Sequence, residues 1–223
     1  MLGALLDLIL PPRCGGCSAP GALVCTACAG LLRAAPRRRL PVPTPPGMPQ
    51  AWSAGLYEGE LRRMILAYKE RGLTALAAPL GLCLAQVVAV ALGGAGAVRL
   101  VPVPSARSST RRRGYDPVAR LAAHAARGLR RQGRPAVVSP VLAHRRRVAD
   151  QAGLSAAGRA GNLSGAFRVA PGELSGAVVV VDDVVTTGAT LTEAAVALER
   201  AGAHVRIAVT LAATRRTWVK PQM

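Results

Sequence analysis

Two adjacent carboxylates, Asp182 and Asp183, end the valine run Val178–Val181, and the small-residue loop Thr186-Thr187-Gly188-Ala189-Thr190 follows almost at once. Neighbouring acids repel one another unless a cation sits between them or a ligand occupies their lone pairs. A loop of hydroxyls and small residues running straight into a helix brings backbone N–H groups, threonine O–H groups and the positive end of the helix dipole to one point, which suits a phosphate. Acids that accept hydrogen bonds from vicinal hydroxyls or hold Mg2+, beside a phosphate cradle, describe a pocket for a ribose 5-phosphate. Each feature alone has a plainer reading, a helix cap and a solvated acidic pair; the combination carries the chemistry.

A second constellation lies near the start of the chain. Cys14-Gly-Gly-Cys17 and Cys25-Thr-Ala-Cys28 form paired CxxC motifs seven residues apart. Four thiolates can surround one metal ion tetrahedrally; zinc suits a soft, closed set, and a structural zinc substitutes for the core that so short a module cannot build. An iron–sulfur cluster, a redox CxxC and incidental cysteines are the other readings. Cys83, alone in an apolar stretch, reads as a core residue.

The elements that must hold these groups follow from patterning. Amphipathic spacing predicts a helix over 60–71, and apolar composition a buried helix near 76–92. Val98–Pro104 reads as a strand, 117–131 as a helix, PAVVSPVL as a short apolar stretch, AVVVV as a strand, 190–201 as a helix and HVRIAVTLAA as a last strand. Valine-rich strands each followed by a helix indicate an α/β fold, a parallel sheet covered on both faces, with its ligand site beyond the carboxyl ends of the strands. Residues 36–50, PRRRLPVPTPPGMPQ, are a proline-rich basic linker unsuited to helix or central strand. They place a boundary near residue 46, between an N-terminal cysteine module with its linker (1–46) and an α/β domain (47–223).

Composition bounds the partners. Hydrophobic residues make up 51 % of the chain and aromatics only 3 %, so the core is built of Ala, Val and Leu. The net charge of +18 is nearly all arginine, since Lys69 and Lys220 are the only lysines. Such a surface favours polyanions such as phosphorylated molecules or nucleic acid, or an acidic partner; a GC-rich genome yields the same excess. The uncharged window 72–98 is long enough to cross a bilayer, but its proline, glutamine, glycines and alanines suit a buried helix followed by a turn. The start, MLGALLDLILPPRC, has no basic n-region and no small-residue cleavage site. No transmembrane span, a cytoplasmic location and reduced cysteines are therefore expected.

VVVVDDVVTTGATL resembles the 5-phosphoribosyl 1-pyrophosphate (PRPP) motif of type I phosphoribosyltransferases. Together with VPVPSARSSTRRRGYDPVARLA (101–122), QAGLS (151–155), Arg159, NLSGAF (162–167) and the paired CxxC motifs, the chain is similar to the ComF family of competence-associated, phosphoribosyltransferase-like proteins. The resemblance implies that Asp182 and Asp183 are the catalytic pair on the ribose 2- and 3-hydroxyls, that Thr186, Thr187, Gly188, Ala189 and Thr190 bind the 5-phosphate, and that Pro104-Ser105 is the pyrophosphate-contacting turn. Arg111, Arg112 and Arg113 would fork onto phosphate oxygens or form a solvated face. The segment 145–167 resembles a loop that brings Arg145–Arg147 and Arg159 into the site, or is a plain surface connection. His124 and His144 have no paired acid and read as ordinary polar residues. The family implies PRPP and Mg2+ as ligands, transfer of phosphoribose to an acceptor that no residue identifies, and a link to DNA uptake. The alternative is a single-stranded-DNA-binding and helicase-docking module, with a ComF-type helicase as partner and a regulatory or vestigial PRPP site. One departure stands out: Asp116-Pro117 replaces the Asn-Gln usual after the RG-aromatic step.

Overall fold

A computed structural model of the chain describes residues 12–94, 96–145 and 165–215. Its centre is a seven-stranded sheet ordered β1 (Arg37–Arg38), β2 (Ala51–Leu56), β9 (Val205–Ala213), β7 (Ala177–Val181), β3 (Val98–Pro102) and β4 (Ala136–Val138), with β8 (Val184–Val185) also pairing β9. All pairings are parallel except that of β1 with β2. Two antiparallel strands, β5 (Leu142–His144) and β6 (Phe167–Val169), form a separate ribbon.

The valine run is explained by burial on both faces. Val179 and Val181 belong to the core on one side with Leu100, Ile207 and Val209; Val178 and Val180 belong to the core on the other with Val101 and Ala208. Helices α2 (Gly59–Glu70), α3 (Ala77–Leu92) and α5 (Pro117–Arg131) cover the first face, while α6 (Ala189–Arg200) and the β5–β6 ribbon cover the second. Short α1 (Thr26–Leu32) belongs to the cysteine module, and α4 (Arg107–Arg113) joins β3 to α5. A parallel strand with both faces covered has no polar face to alternate with, so its sequence reads as one apolar run.

The expected α/β architecture with a parallel sheet is the one observed. Several elements escaped the sequence, β1, β2 and α4 among them. β2 is AWSAGL, whose small residues lack the β-branched signature; it is nonetheless held beside β9 and by a buried hydrogen bond between Ser53 Oγ and Thr210 Oγ1 (2.7 Å). Helix α4 is RSSTRRR, with no apolar period. β1 lies inside the proline-rich segment but at the sheet's edge, where proline neighbours are tolerated.

The stretch Thr74–Leu92 is long and apolar enough to span a bilayer by composition, yet Leu80, Leu84, Val87 and Val88 are fully buried in the core against α5 and the sheet. It is a core helix. Glycine makes the α3–α5 approach possible: a Cβ on Gly81 would lie 2.3 Å from His124 Cβ and 2.9 Å from the Leu121 carbonyl oxygen, and one on Gly128 would lie 2.9 Å from Leu82 Cδ2. Backbone cannot step aside as a flexible side chain does. Gly81→Ala should therefore cost about 1–3 kcal/mol by urea unfolding, whereas Gly30→Ala in α1, where a Cβ meets nothing, should be neutral or stabilising by up to about 1 kcal/mol. Equal effects at the two sites would show that the close helix approach does not constrain residue 81.

Candidate active site

The strand order fixes where chemistry can occur. From β3 the chain passes through α4 and α5 to β4 on one side, then returns by way of the ribbon to β7 on the other. The winding thus reverses between β3 and β7, and their carboxyl ends diverge to leave a crevice. A cleft of about 360 Å3 lies there, lined from β3 by Pro104 and Ser105, from β7 by Asp182 and Asp183, and from the start of α6 by Thr190. Lys69 and Arg113 complete its wall.

The two aspartates stay within the ladder. Asp182 N–H donates to the Val209 carbonyl (3.0 Å), and the Asp183 carbonyl accepts from the N–H groups of Leu211 (3.0 Å) and Ala212 (3.2 Å), bridging β7 to β8 along β9. Asp183 N–H also donates to Asp182 Oδ1 at 2.8 Å. Asp183 is buried, and its Oδ2, which accepts no hydrogen bond among the described residues, is paired with the ammonium of Lys69. Asp182 keeps part of its surface open at the cleft floor but is hemmed in by protein; burial first, and the carboxylate of Asp183 second, push its pKa well above the ordinary 3.8. For Lys69, burial disfavours the ammonium, but the neighbouring Asp183 carboxylate outweighs it and holds the pKa above its usual value.

Lys69 was not foreseen from the sequence. The available signal was its rarity, one of two lysines among 29 basic residues, in the last turn of a predicted helix. The end of α4 and the turn after it fix it at the backbone. Arg113 Nε donates to the Lys69 carbonyl (2.6 Å), Tyr115 O–H to the Tyr68 carbonyl (3.1 Å), and Tyr68 O–H to the Pro117 carbonyl (2.9 Å). Arg113 and Tyr115 thereby satisfy carbonyls that the end of α2 would leave unpaired, and Tyr68 ties α2 to the start of α5.

The three arginines expected at phosphates have separate positions. Arg113 is mostly buried and ion-paired with Glu70 at 2.6 Å; Arg112 is exposed, 3.5 Å from the same carboxylate; Arg111 lines a shallow surface hollow with Ser105 and Gly114. Asp116 caps α5, accepting from Val118 N–H (2.9 Å) and Ala119 N–H (3.0 Å) with Pro117 at the first helical position, and also accepts from Ser105 N–H (2.8 Å). The Asp-Pro departure therefore ties the Pro104-Ser105 turn to the helix start. His144 Nε2 donates to the Pro104 carbonyl (2.9 Å), a positional role that matches its reading as an ordinary polar residue. Arg145 is described; Arg146, Arg147 and Arg159 lie outside the described residues.

The threonine loop turns into α6 at the edge of the cleft, where Thr190 lines the wall. Gly188, at φ +79°, is buried where a Cβ would lie 2.5 Å from Met48 Sδ and 2.9 Å from Pro41 Cγ, so the proline-rich segment supports it from behind. Thr186, Thr187 and Thr190 are exposed, Ala189 is half-buried, and α6 begins at Ala189. Thr187 Oγ1 accepts from Ala189 N–H at 3.4 Å. The carboxylate oxygens of Asp182 and Asp183 are hard donors of the kind Mg2+ prefers, and a buried oxygen satisfied only by an ammonium fits a cation position.

At the other end of α2, the four sulfurs of Cys14, Cys17, Cys25 and Cys28 lie within 4.8 Å of one another, compatible with one tetrahedral metal ion. Burial opposes a thiolate at Cys14, but the N–H groups of Cys25, Cys17 and Gly16 outweigh it and lower its pKa to about 6, whereas burial and the adjacent thiols push Cys28 up. A metal ion would remove that cost by deprotonating the set together. Cys83 is buried in the core, as expected.

Two outcomes follow from this arrangement. Elemental analysis should find one metal ion per chain, and Cys28→Ser should remove it and lower Tm by roughly 5 °C or more; retention of the metal would exclude Cys28 as a ligand. The raised pKa of Asp182 means that its neutral form fits the fold better. Stability from that form is complete below the ordinary 3.8 and is lost as pH rises through the folded value. Asp182→Asn should therefore melt above the unsubstituted protein near pH 8, with the gap closing as pH falls toward 4; a gap that widens on acidification would reverse the sign.

No curated protein matches the chain. Residues 116–223 match the family model described as phosphoribosyl transferase domain. The match opens at the Asp116 cap and takes in Asp182, Asp183 and the threonine loop, and it leaves the cysteine module, Lys69 and the Pro104-Ser105 turn before it. The acidic pair and the threonine loop, at the crevice of a parallel α/β sheet, lie inside the stretch that is similar to the phosphoribosyl transferase domain family.

Proposed function

We propose that the protein binds PRPP with Mg2+ in the cleft between β3 and β7 and transfers its phosphoribosyl group to an acceptor. The observation that carries this reading is that the acidic pair, the Pro104-Ser105 turn and Thr190 at the end of the threonine loop line one cleft. Asp182 and Asp183 would accept hydrogen bonds from the ribose 2- and 3-hydroxyls, and the residues from Thr186 to Thr190 would hold the 5-phosphate at the start of α6. In the transfer, the acceptor's lone pair attacks the anomeric carbon as the bond to pyrophosphate breaks, and the pyrophosphate departs with the electron pair. Positioning and electrostatics supply most of such a rate enhancement. Bound Mg2+ would neutralise charge on the leaving pyrophosphate. In the cysteine module, zinc is the metal proposed for the thiolate set.

The ComF resemblance adds an association with DNA uptake, and the net charge of +18 is what supports contact with nucleic acid. Arg37–Arg38 lie in edge strand β1, and Arg130–Arg131 end the helix leading into β4 at the opposite edge. These two pairs sit at opposite edges of the sheet, away from the cleft that holds the acidic pair, and it is that cleft which favours the enzymatic reading over a DNA-binding module with a vestigial pocket.

Thermal unfolding with and without PRPP and Mg2+ tests the proposal. Ligand at a hundredfold its dissociation constant contributes about 2.7 kcal/mol, a rise of roughly 5–10 °C for a chain of this size. The rise should vanish in Asp182→Asn/Asp183→Asn, measured against that variant's own baseline. No rise in the unsubstituted, folded protein would rule out the PRPP site.

A further inference from the structure

We propose that Lys69 is the resident counter-ion of the cleft: its ammonium neutralises Asp183 while no ligand is bound and must be exchanged for a cation that arrives with the ligand. The inference rests on the proposed sugar-phosphate cleft for the nature of that ligand, but not for the ion pair itself.

Three observations support the assignment. Asp183 is buried, and the Lys69 ammonium is the only partner of its Oδ2 among the described residues. A buried carboxylate without compensation is costly, so this cation is required for as long as the cleft is empty. Lys69 is also held in place from behind, its carbonyl bound by Arg113 and that of Tyr68 by Tyr115. The backbone is thus fixed while the flexible four-carbon stem remains free to move the ammonium. Finally, the other cation of the wall is already committed, because Arg113 is ion-paired with Glu70 at 2.6 Å. Of the two basic side chains lining the cleft, Lys69 is the one set against the acids.

The exchange has a consequence for specificity. A neutral diol reaching the acids would have to share them with the ammonium and would gain no charge compensation. A phosphorylated sugar chelated to a divalent cation brings its own positive charge to the carboxylates and offers phosphate oxygens to the displaced ammonium. Lys69 therefore selects for metal-chelated sugar phosphates over uncharged sugars or bare nucleosides.

The test uses Mg2+ alone, with no sugar phosphate, on the full chain. In the unsubstituted protein the ammonium occupies the position and Mg2+ should leave Tm unchanged. In Lys69→Met the vacated acids should take the ion, and Mg2+ at about tenfold its dissociation constant should raise Tm by roughly 3–6 °C. The same small response, or none, in both proteins would overturn the proposal. Should Lys69→Met fail to fold, Lys69→Met/Asp183→Asn, which removes the buried charge as well, should fold again; failure of that variant too would assign Lys69 to packing and also overturn it. None of these results depends on PRPP, so a protein that passes this test but is unmoved by PRPP would refute the sugar-phosphate ligand and leave the ion pair standing.

Discussion

A parallel sheet covered on both faces gives polar chemistry nowhere to go except the strand ends. Every interior position of β7 is valine, and the first residues able to carry charge are the two that follow it. Placing two carboxylates there satisfies the topology and creates an electrostatic problem, since both emerge from a low-dielectric core and one of them is buried. The surrounding elements answer that problem. Helix α2 delivers an ammonium, α4 delivers the guanidinium that holds the end of α2, and Asp116 ties the facing turn to the start of α5.

Much of the fold was legible because its signals are local. The helix over 117–131 carries a cap, a proline at its first position and a clear apolar stripe, and it is found with those bounds. The AVVVV strand and the acidic pair after it were equally plain. β2 was not, because a strand of Ala, Ser and Gly is determined by its neighbours in the sheet and not by its own residues. The site divides in the same way. Contiguous motifs announced the acids and the threonine loop, but the partner of Asp183 lies more than a hundred residues earlier in the chain, and no periodicity reports a contact of that kind.

The arginine run at 111–113 divides its contacts once the chain is folded. As sequence, three successive guanidiniums suggest one phosphate-binding fork. In the fold Arg113 lines the cleft, ion-paired with Glu70 and bound to a helix-end carbonyl; Arg112 lies exposed beside the same carboxylate, and Arg111 lines a separate hollow. Neighbours on a short helix diverge by about 100°, so adjacency in sequence is a poor guide to shared function there.

Helix α2 makes contact at both of its ends. In its first turns, Arg63 Nε donates to the Gly16 carbonyl at 2.5 Å, and Cβ atoms on Gly15 and Gly16 would collide with Leu76 and with Met64 and Cys28. Its last turn carries Lys69. Twelve residues at 1.5 Å apiece make a rod about 18 Å long that does not compress. The cysteine module is thus the footing on which the far end of the rod is aimed. A shift of that footing is carried along the rod to the aim of one ammonium, so the two ends of the helix are mechanically coupled though they share no chemistry.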